Sequence, residues 1–224
     1  KHVFCEKPVA VDAPGIRRVL AACQQAKEKN LSVVSGFCYR YNQPTRELMA
    51  RIHDGAIGDI LAVNVNYNTG GLWMNPRQEG WSDMEWQLRN WLYFTWLSGD
   101  HNVEQQIHGI DKCMWAMKDM PPVRAWGISG RQVRTESKWG DIYDHHAVVY
   151  EFADGARMYA LARQQPNCYN DYSEFLLGTK GRCDLQKGQI EGETNWSYGA
   201  KAGDVKADGA ASGLAHQPEA AGKP

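Results

Sequence analysis

The sequence predicts a chain of class α/β plus α+β, in which one βαβ unit is followed by an open antiparallel sheet with helices on one face. Two observations predict this class. Residues 1–42 alternate as strand, helix and strand, whereas residues 43–198 begin with helical patterns and turn to short strand-like runs after Pro122. Because one βαβ unit cannot cover both faces of a parallel sheet, we expect residues 1–42 to be the last part of a larger doubly wound domain.

Both ends of the chain have the character of a fragment. The first residues form a strand-like run without an initiating methionine. In the tail, residues 199–224, 13 of 26 residues are Ala or Gly, so it cannot bury enough apolar surface to offset its ordering entropy. We therefore expect a low-complexity tail and a truncated polypeptide.

The overall composition favours a globular protein and excludes several classes of partner. Of the 224 residues, 43% are hydrophobic, and the net charge of -1 gives no basic patch for nucleic acid or for a membrane surface. No apolar run reaches about 18 residues, so neither a transmembrane span nor a signal peptide is predicted. The six cysteines form no C-x-x-C pair, which favours free thiols over zinc ribbons and redox motifs.

Residues 1–42 carry the signals of one helix between two strands. Asp12 is suited to cap a helix that has Pro14 in its first turn and continues to Asn30. Residues 31–37 include two valines and end in Gly-Phe, which predicts a buried strand.

The next segment predicts a short helix at residues 45–54 and an alternating, half-buried strand at residues 60–67. Residues 68–81 form a long irregular stretch with Gly and Pro, which we interpret as a rim or lid over a cleft. A capping box at residues 82–85 opens a helix that we expect to last to about residue 97. Five of the nine tryptophans lie between positions 73 and 96. Most are expected to fill core, but Trp73 and Trp81 lie on the loop and are candidates for stacking on a sugar ring.

Residues 99–117 combine an apolar and a polar stripe on one predicted helix. Apolar residues recur at steps of four and three and predict a buried face: Val103, Ile107, Ile110, Met114 and Met117. Four groups that can exchange protons or bind a metal recur beside them: His101, Glu104, His108 and Asp111. Ordinary ion pairing on a solvated face would explain a lone histidine, but this density favours a functional site. A neighbouring carboxylate inside a cleft would make His108 a candidate general base.

After Pro122 the chain turns to strand-like runs separated by Gly-containing turns. The predicted strands are residues 123–133, 142–152, 156–165, 172–177, 182–185 and 189–191. Short connections force neighbouring strands to pair antiparallel. His145 and His146 are adjacent in one strand and point to opposite faces, so we assign no metal to the pair.

Five short motifs occur in order along residues 1 to about 189. They are Glu6-Lys7-Pro8 after the first strand, Gly36-Phe37, Tyr39-Arg40-Tyr41-Asn42-Gln43-Pro44, the link Gly55-Ala56-Ile57-Gly58-Asp59-Ile60, and Glu104-x-x-x-His108 followed by Asp111. As a set they resemble the glucose-fructose oxidoreductase and inositol dehydrogenase family. The resemblance implies that residues 1–42 are the C-terminal remnant of a Rossmann dinucleotide-binding domain and that residues 43–198 form an α+β domain for substrate binding and oligomerisation.

The resemblance also implies a set of site residues. In that family the lysine lies between substrate and the nicotinamide of NAD or NADP, and the histidine is the base on a substrate hydroxyl. Carried over, the catalytic residues are Lys7, His108 and Glu104. The implied cofactor-binding residues are Glu6, Lys7, Pro8 and Arg40, and the implied substrate-binding residues are His101, Asp111, Trp73 and Trp81, with no metal. A fixed ammonium stabilises a developing alkoxide while an imidazole takes the proton. A cis bond before Pro8 is implied as well.

Two departures from the family's pattern matter. Glu104 replaces the usual aspartate, which moves the carboxylate by one methylene. The Gly-rich phosphate loop, G-x-G-x-x-G after a first strand, is absent from this sequence, so we expect the polypeptide alone to bind NAD poorly or not at all.

The leading hypothesis is a fragment of a nicotinamide-dependent oxidoreductase that acts on a sugar or polyol hydroxyl and forms a homo-oligomer through its antiparallel sheet. The insertion Trp81-Ser82-Asp83-Met84-Glu85-Trp86 resembles members that act on sugars, including NAD-dependent glycosidases, so a redox-assisted glycosidase is an alternative. A divalent-metal hydrolase using the polar helix stripe and a non-catalytic sugar-binding module are further alternatives, although the H-E-x-x-H signature is absent. Both a cytoplasmic and an exported, periplasmic location stay open.

Overall fold

The computed structural model describes residues 1–199, so the predicted tail lies, apart from Gly199, outside the described residues. The helices are α1 (Ala13–Glu28), α2 (Gln43–His53), α3 (Asp83–Arg89), α4 (Thr95–Ser98) and α5 (Ile107–Ala116). The strands are β1 (Val3–Cys5), β2 (Val33–Ser35), β3 (Ile60–Thr69), β4 (Arg124–Gly130), β5 (His145–Glu151), β6 (Arg157–Gln164), β7 (Asp171–Gly178), β8 (Gly181–Asp184), β9 (Gln189–Gly192) and β10 (Trp196–Ser197). None of the helices described here has both the length and the apolar character needed to cross a bilayer.

The first unit is the expected βαβ arrangement. β1 and β2 pair in parallel, with Phe4 opposite Val34. The side chain of Asp12 caps α1 and accepts a hydrogen bond from the backbone N–H of Gly15 at 2.7 Å. Phe4 and Leu20 are each 64% exposed, so the apolar faces of this unit lie uncovered within the described part of the chain.

The second unit is an eight-stranded sheet in the order β10-β9-β8-β7-β3-β6-β5-β4. The predicted fold class is confirmed, and all six strands predicted after residue 122 occur within a few residues of their expected bounds. The prediction of a wholly antiparallel sheet is wrong at one pair, because β3 runs parallel to β6 with Val63 opposite Met158. Short turns fix the direction of the hairpin strands only. β3 and β6 are separated by the helical segment and by β4 and β5, so no short turn decides their relative direction.

The core lies between one face of this sheet and the helices α2 and α5. It is formed by fully buried apolar side chains from both layers, among them Leu48, Met49, Ile52, Val63, Val65, Cys113, Met158, Ala160 and Leu176. The alternation of each strand places these residues on the covered face, as the pattern predicts. Truncating a fully buried residue such as Leu48 to alanine is expected to cost about 2–5 kcal/mol.

The prediction of a single helix from residue 82 to about residue 97 is wrong. The structure has α3, a 3₁₀ turn at Trp91–Tyr93, and the short α4 instead. The side chain of Asn90 is fully buried and bonds to the backbone of Asn75, and its φ of -120° ends α3. Three consecutive residues, 92–94, are all buried. A straight helix cannot point three consecutive side chains into one core, so the chain breaks here.

Candidate functional site

The central helix predicted for residues 99–117 has an irregular first turn. Asn102–Gln106 is π-helical, and α5 continues from it. A π turn holds an extra residue and shifts the side chains around the helix axis. Glu104 and Gln106 are therefore buried, whereas Val103 and Ile107 are only half-buried. The predicted apolar face is thus wrong over this turn, and the polar stripe points into the protein.

Lys7 reaches this turn from the segment after β1. Its Nζ lies 2.6 Å from Glu104 Oε1 and also donates to the Glu104 carbonyl oxygen. The two side chains are only 15% and 9% exposed, so this is a largely desolvated ion pair. The other carboxylate oxygen, Oε2, is buried and has no hydrogen-bond partner among the described residues. The peptide bond between Lys7 and Pro8 is cis, which confirms that expectation.

Lys7 and His108 line one cavity of about 480 Å³. Its wall is completed by Phe4, Glu6, Ser35, Gly36, Cys38 and Tyr41. A Cβ on Gly36 would overlap the Glu6 carboxylate, so a glycine is needed for Glu6 to approach this backbone. The cavity thus brings together residues that are about a hundred positions apart in the sequence.

The surroundings of His108 favour its neutral form. Burial lowers its pKa below the ordinary histidine value, and the nearby Lys7 ammonium lowers it further, against the opposing effect of Glu104. Its Nδ1 is buried without a hydrogen-bond partner among the described residues, which leaves Nε2 as the ring nitrogen open to the cavity. The ring of Tyr39 packs perpendicular to the imidazole at 5.7 Å between centroids. A neutral imidazole in this position can accept a proton.

Arg40 and Asp111 are paired with each other. Arg40 Nε donates to Asp111 Oδ1 at 2.9 Å, and its guanidinium also donates to Asp119 at 2.7 Å. The hydrogen bond that Arg40 donates to Asp119, followed by that to Asp111, raises the pKa of Arg40 above its ordinary value against the opposing effect of burial. Neither side chain is part of the cavity wall described above. Their predicted roles in cofactor and substrate binding stay predictions.

Three further predicted residues also lie away from the cavity wall. His101 is 1% exposed, and burial, then the charge of His146, lower its pKa to about 3. Trp73 packs at 6.1 Å against the rings of Trp91 and Tyr93. Trp81 lies under the guanidinium of Arg89, 4.6 Å from its ring centroid. The structure does not bring these three side chains to Lys7 and His108.

No group of three or more His, Cys, Asp or Glu side chains lies close enough to hold a metal ion within residues 1–199. In the polar stripe, Glu104 is paired with Lys7 and Asp111 with Arg40. The divalent-metal alternative therefore receives no support from the geometry.

A buried ion pair that the sequence did not predict involves Lys112, which lies one helical turn after His108 on α5. Lys112 Nζ lies 2.9 Å from Glu174 Oε2, and the side chains are 3% and 0% exposed. Glu174 shares its strand face with Leu176, a position where alternation predicts an apolar residue. A glutamate at such a position is a signal that could have identified the pair.

A nicotinamide cofactor fits one end of this site and not the other. The cavity offers the Lys7 ammonium, a close backbone approach at Gly36 and unpartnered buried atoms on Glu104 and His108. A pyrophosphate would need free N–H groups at a helix N-terminus that follows a strand. The helix after β1 has its N-terminus occupied by the Asp12 carboxylate. The cavity thus has polar groups suited to a nicotinamide, whereas the N-terminus of α1 is closed to a pyrophosphate by its own cap.

No family model matches this chain, but comparison with known proteins identifies relatives. The chain is 27% identical over 203 residues, 88% of its length, to an uncharacterized oxidoreductase from Streptococcus pneumoniae, and covers 50% of that protein. It is 25% identical over 189 residues, 84% of its length, to a 2,7-anhydro-N-acetylneuraminate hydratase from Escherichia coli, and covers 46% of it. Inositol 2-dehydrogenases match over shorter spans.

The fold is shared with solved structures. An aldose-aldose oxidoreductase from Caulobacter crescentus superposes with a TM-score of 0.62 at 21% identity, over 81% of this chain and 48% of that one. The chain spans about half the length of the curated relatives it matches. These relatives confirm the resemblance that the five motifs indicated.

Proposed function

We propose that this chain supplies the substrate-binding part of a nicotinamide-dependent oxidoreductase that acts on a sugar or polyol hydroxyl. Its relatives include an oxidoreductase and inositol dehydrogenases, which agree with the resemblance to the glucose-fructose oxidoreductase and inositol dehydrogenase family. The observation that carries the proposal is the cavity shared by Lys7 and His108. Both groups are needed next to one hydroxyl, and residues so far apart in sequence have no local reason to meet.

The chemistry assigned to this chain is proton removal. His108 takes the hydroxyl proton at Nε2, which is favoured because its imidazole is neutral. The Lys7 ammonium stabilises the negative charge that develops on the substrate oxygen. When bound, a nicotinamide supplies the hydride acceptor for the substrate carbon.

Glu104 is assigned to hold the Lys7 ammonium in place. It fixes this ammonium through the 2.6 Å ion pair. Glu104 also acts on His108 through its charge, which opposes the lowering of the His108 pKa.

A second candidate, a redox-assisted hydratase or glycosidase, is favoured by the relative named 2,7-anhydro-N-acetylneuraminate hydratase. Such an enzyme would oxidise a ring hydroxyl, remove the acidified neighbouring proton, eliminate a substituent, add water and return the hydride. His108 would serve the first proton transfer in either candidate. The two differ in their net use of cofactor.

The test uses this chain preceded by its upstream coding sequence, with the 224-residue chain as a second sample. The preparations are incubated with NAD or NADP and a panel of inositols, aldoses and anhydro sugars. Accumulation of reduced nicotinamide supports the oxidoreductase, and product formation without net reduction supports the hydratase. No turnover of any sugar or polyol by the extended protein, or equal turnover by a His108→Phe variant, would exclude the proposal.

We also propose that the uncovered face of the sheet joins two copies of the chain. In register across neighbouring strands this face presents Trp126, Ile128, Tyr159, Leu161 and Leu177. These side chains are 40–76% exposed, which is a large apolar surface for a solvated protein. A second copy would bury this surface symmetrically.

A further inference from the structure

The Lys112–Glu174 pair is more deeply buried than any other ion pair in residues 1–199. Desolvating two ions costs several kcal/mol each, and apolar residues of similar volume would stabilise a core at least as well. Glu174 Oε2 also accepts from Gln186 at 2.7 Å, while its Oε1 has no partner among the described residues. Stability alone therefore does not account for the pair.

The ammonium of this pair touches the site through one aromatic ring. Lys112 Nζ lies 4.5 Å from the ring centroid of Tyr39, which is within the range of a cation–π contact. The same Tyr39 ring packs perpendicular to the His108 imidazole. Tyr39 thus stands between the buried cation and the base.

A glycine provides the space for this arrangement. A Cβ on Gly109 would lie 2.8 Å from Glu174 Oε1, so only a glycine at this turn of α5 lets the carboxylate approach the helix. The carboxylate in turn fixes Lys112, whereas the adjacent Asp111 is paired with Arg40. The sequence of contacts runs from Glu174 to Lys112, Tyr39 and His108.

We propose that the Lys112–Glu174 ion pair is a positioning element that holds Tyr39 against His108 and fixes the orientation of the imidazole toward the cavity. The proposal takes from the proposed function only the role of His108 as base. The charged and titratable groups facing His108 are Lys7 from the segment after β1, Glu104 from the π turn, Asp111 and Lys112 from α5, and Tyr39 from the turn after β2. Lys112 contributes to the lowered pKa of His108, after burial and Lys7.

The experiment compares three variants of the chain by imidazole nitrogen NMR across a pH titration, with circular dichroism to verify folding. Lys112→Met/Glu174→Gln removes the pair without leaving a buried charge. Arg182→Met/Glu191→Gln removes an exposed cross-strand pair at 2.7 Å and serves as the matched control. Tyr39→Leu keeps the ion pair but removes the ring.

We expect the His108 pKa to rise in Lys112→Met/Glu174→Gln, because the Lys112 charge lowers this pKa in the parent, whereas Glu174 is not among the groups that shift it. Its nitrogen shifts should also move toward a mixture of tautomers, and the control should match the parent. If the double variant does not fold, Tyr39→Leu decides, since it should show the same tautomer mixing. Unchanged His108 shifts in a folded double variant, or in Tyr39→Leu, would overturn the proposal. These readouts need no cofactor or turnover, so a failed oxidoreductase assay leaves them valid.

Discussion

His101 makes the stability of the protein depend on pH in a way that can be calculated. Its ring is 1% exposed, both ring nitrogens lack partners among the described residues, and its pKa is lowered from 6.5 to about 3. Between these two values the unfolded chain binds a proton at this site and the folded chain does not. The contribution of His101 to the free energy of unfolding is therefore fully present above pH 6.5 and is lost progressively as the pH drops below this value. One pKa unit corresponds to about 1.4 kcal/mol, so acidification from about pH 7.5 to about pH 5 should cost about 2 kcal/mol through His101.

The assay is urea unfolding followed by tryptophan fluorescence at both pH values. His101→Phe keeps a ring against Tyr67, loses the titrating group and breaks no hydrogen bond between described residues, so it should remove most of this pH dependence. His2→Phe is the control: it removes an exposed histidine and one hydrogen bond, from the Ser32 backbone N–H to the ring, and should keep a difference in stability between the two pH values like that of the parent. If the parent and His101→Phe lose the same stability on acidification, the buried neutral imidazole is not the cause and the reasoning is refuted.

Three further predictions follow from the site and the sheet. Lys7→Met should lower turnover by about 100-fold or more in steady-state assays of the extended protein, because it removes the cation at the reacting oxygen; an unchanged rate would contradict this. Asp144→Asn should cost about 2 kcal/mol in urea unfolding, since the fully buried carboxylate accepts the backbone N–H groups of residues 132–134; an unchanged midpoint would show that these bonds contribute little. Leu161→Glu should shift the chain toward monomer in light scattering, because it places a charge in the apolar sheet face, and a parent that is already monomeric would refute the proposed interface.

Most of the sheet could be predicted because its signals are local. In β6, buried and exposed residues alternate from Met158 to Gln164, and Gly155 marks the turn before it. The cap of α1 by Asp12 is likewise decided by residues three positions apart. The parallel pairing of β3 with β6 depends on contacts across a long connection, and no local pattern specifies it.

The candidate site was predictable only in part. The family resemblance suggested that Lys7 and His108 share a site, but the ion pair between Lys7 and Glu104, which joins residues 97 positions apart, was not predicted. The π turn was missed because apolar spacing was interpreted with 3.6 residues per turn throughout. That assumption placed Val103 inward and the polar stripe beside the buried face. The partners of Lys112 depend on packing between a helix and a strand, which spacing within one element does not reveal.

The π turn at Asn102–Gln106 also determines how Glu104 and His108 are placed relative to each other around the helix axis. Because a π turn holds one residue more than an α turn, deleting Gln105 or Gln106 would let this segment close as a regular α-helix and would shorten the Glu104–His108 spacing from four residues to three. The angle between these two side chains around the axis would change, although both would still be present in the sequence. The number of residues in this turn is therefore a requirement of the site in addition to the identity of its side chains.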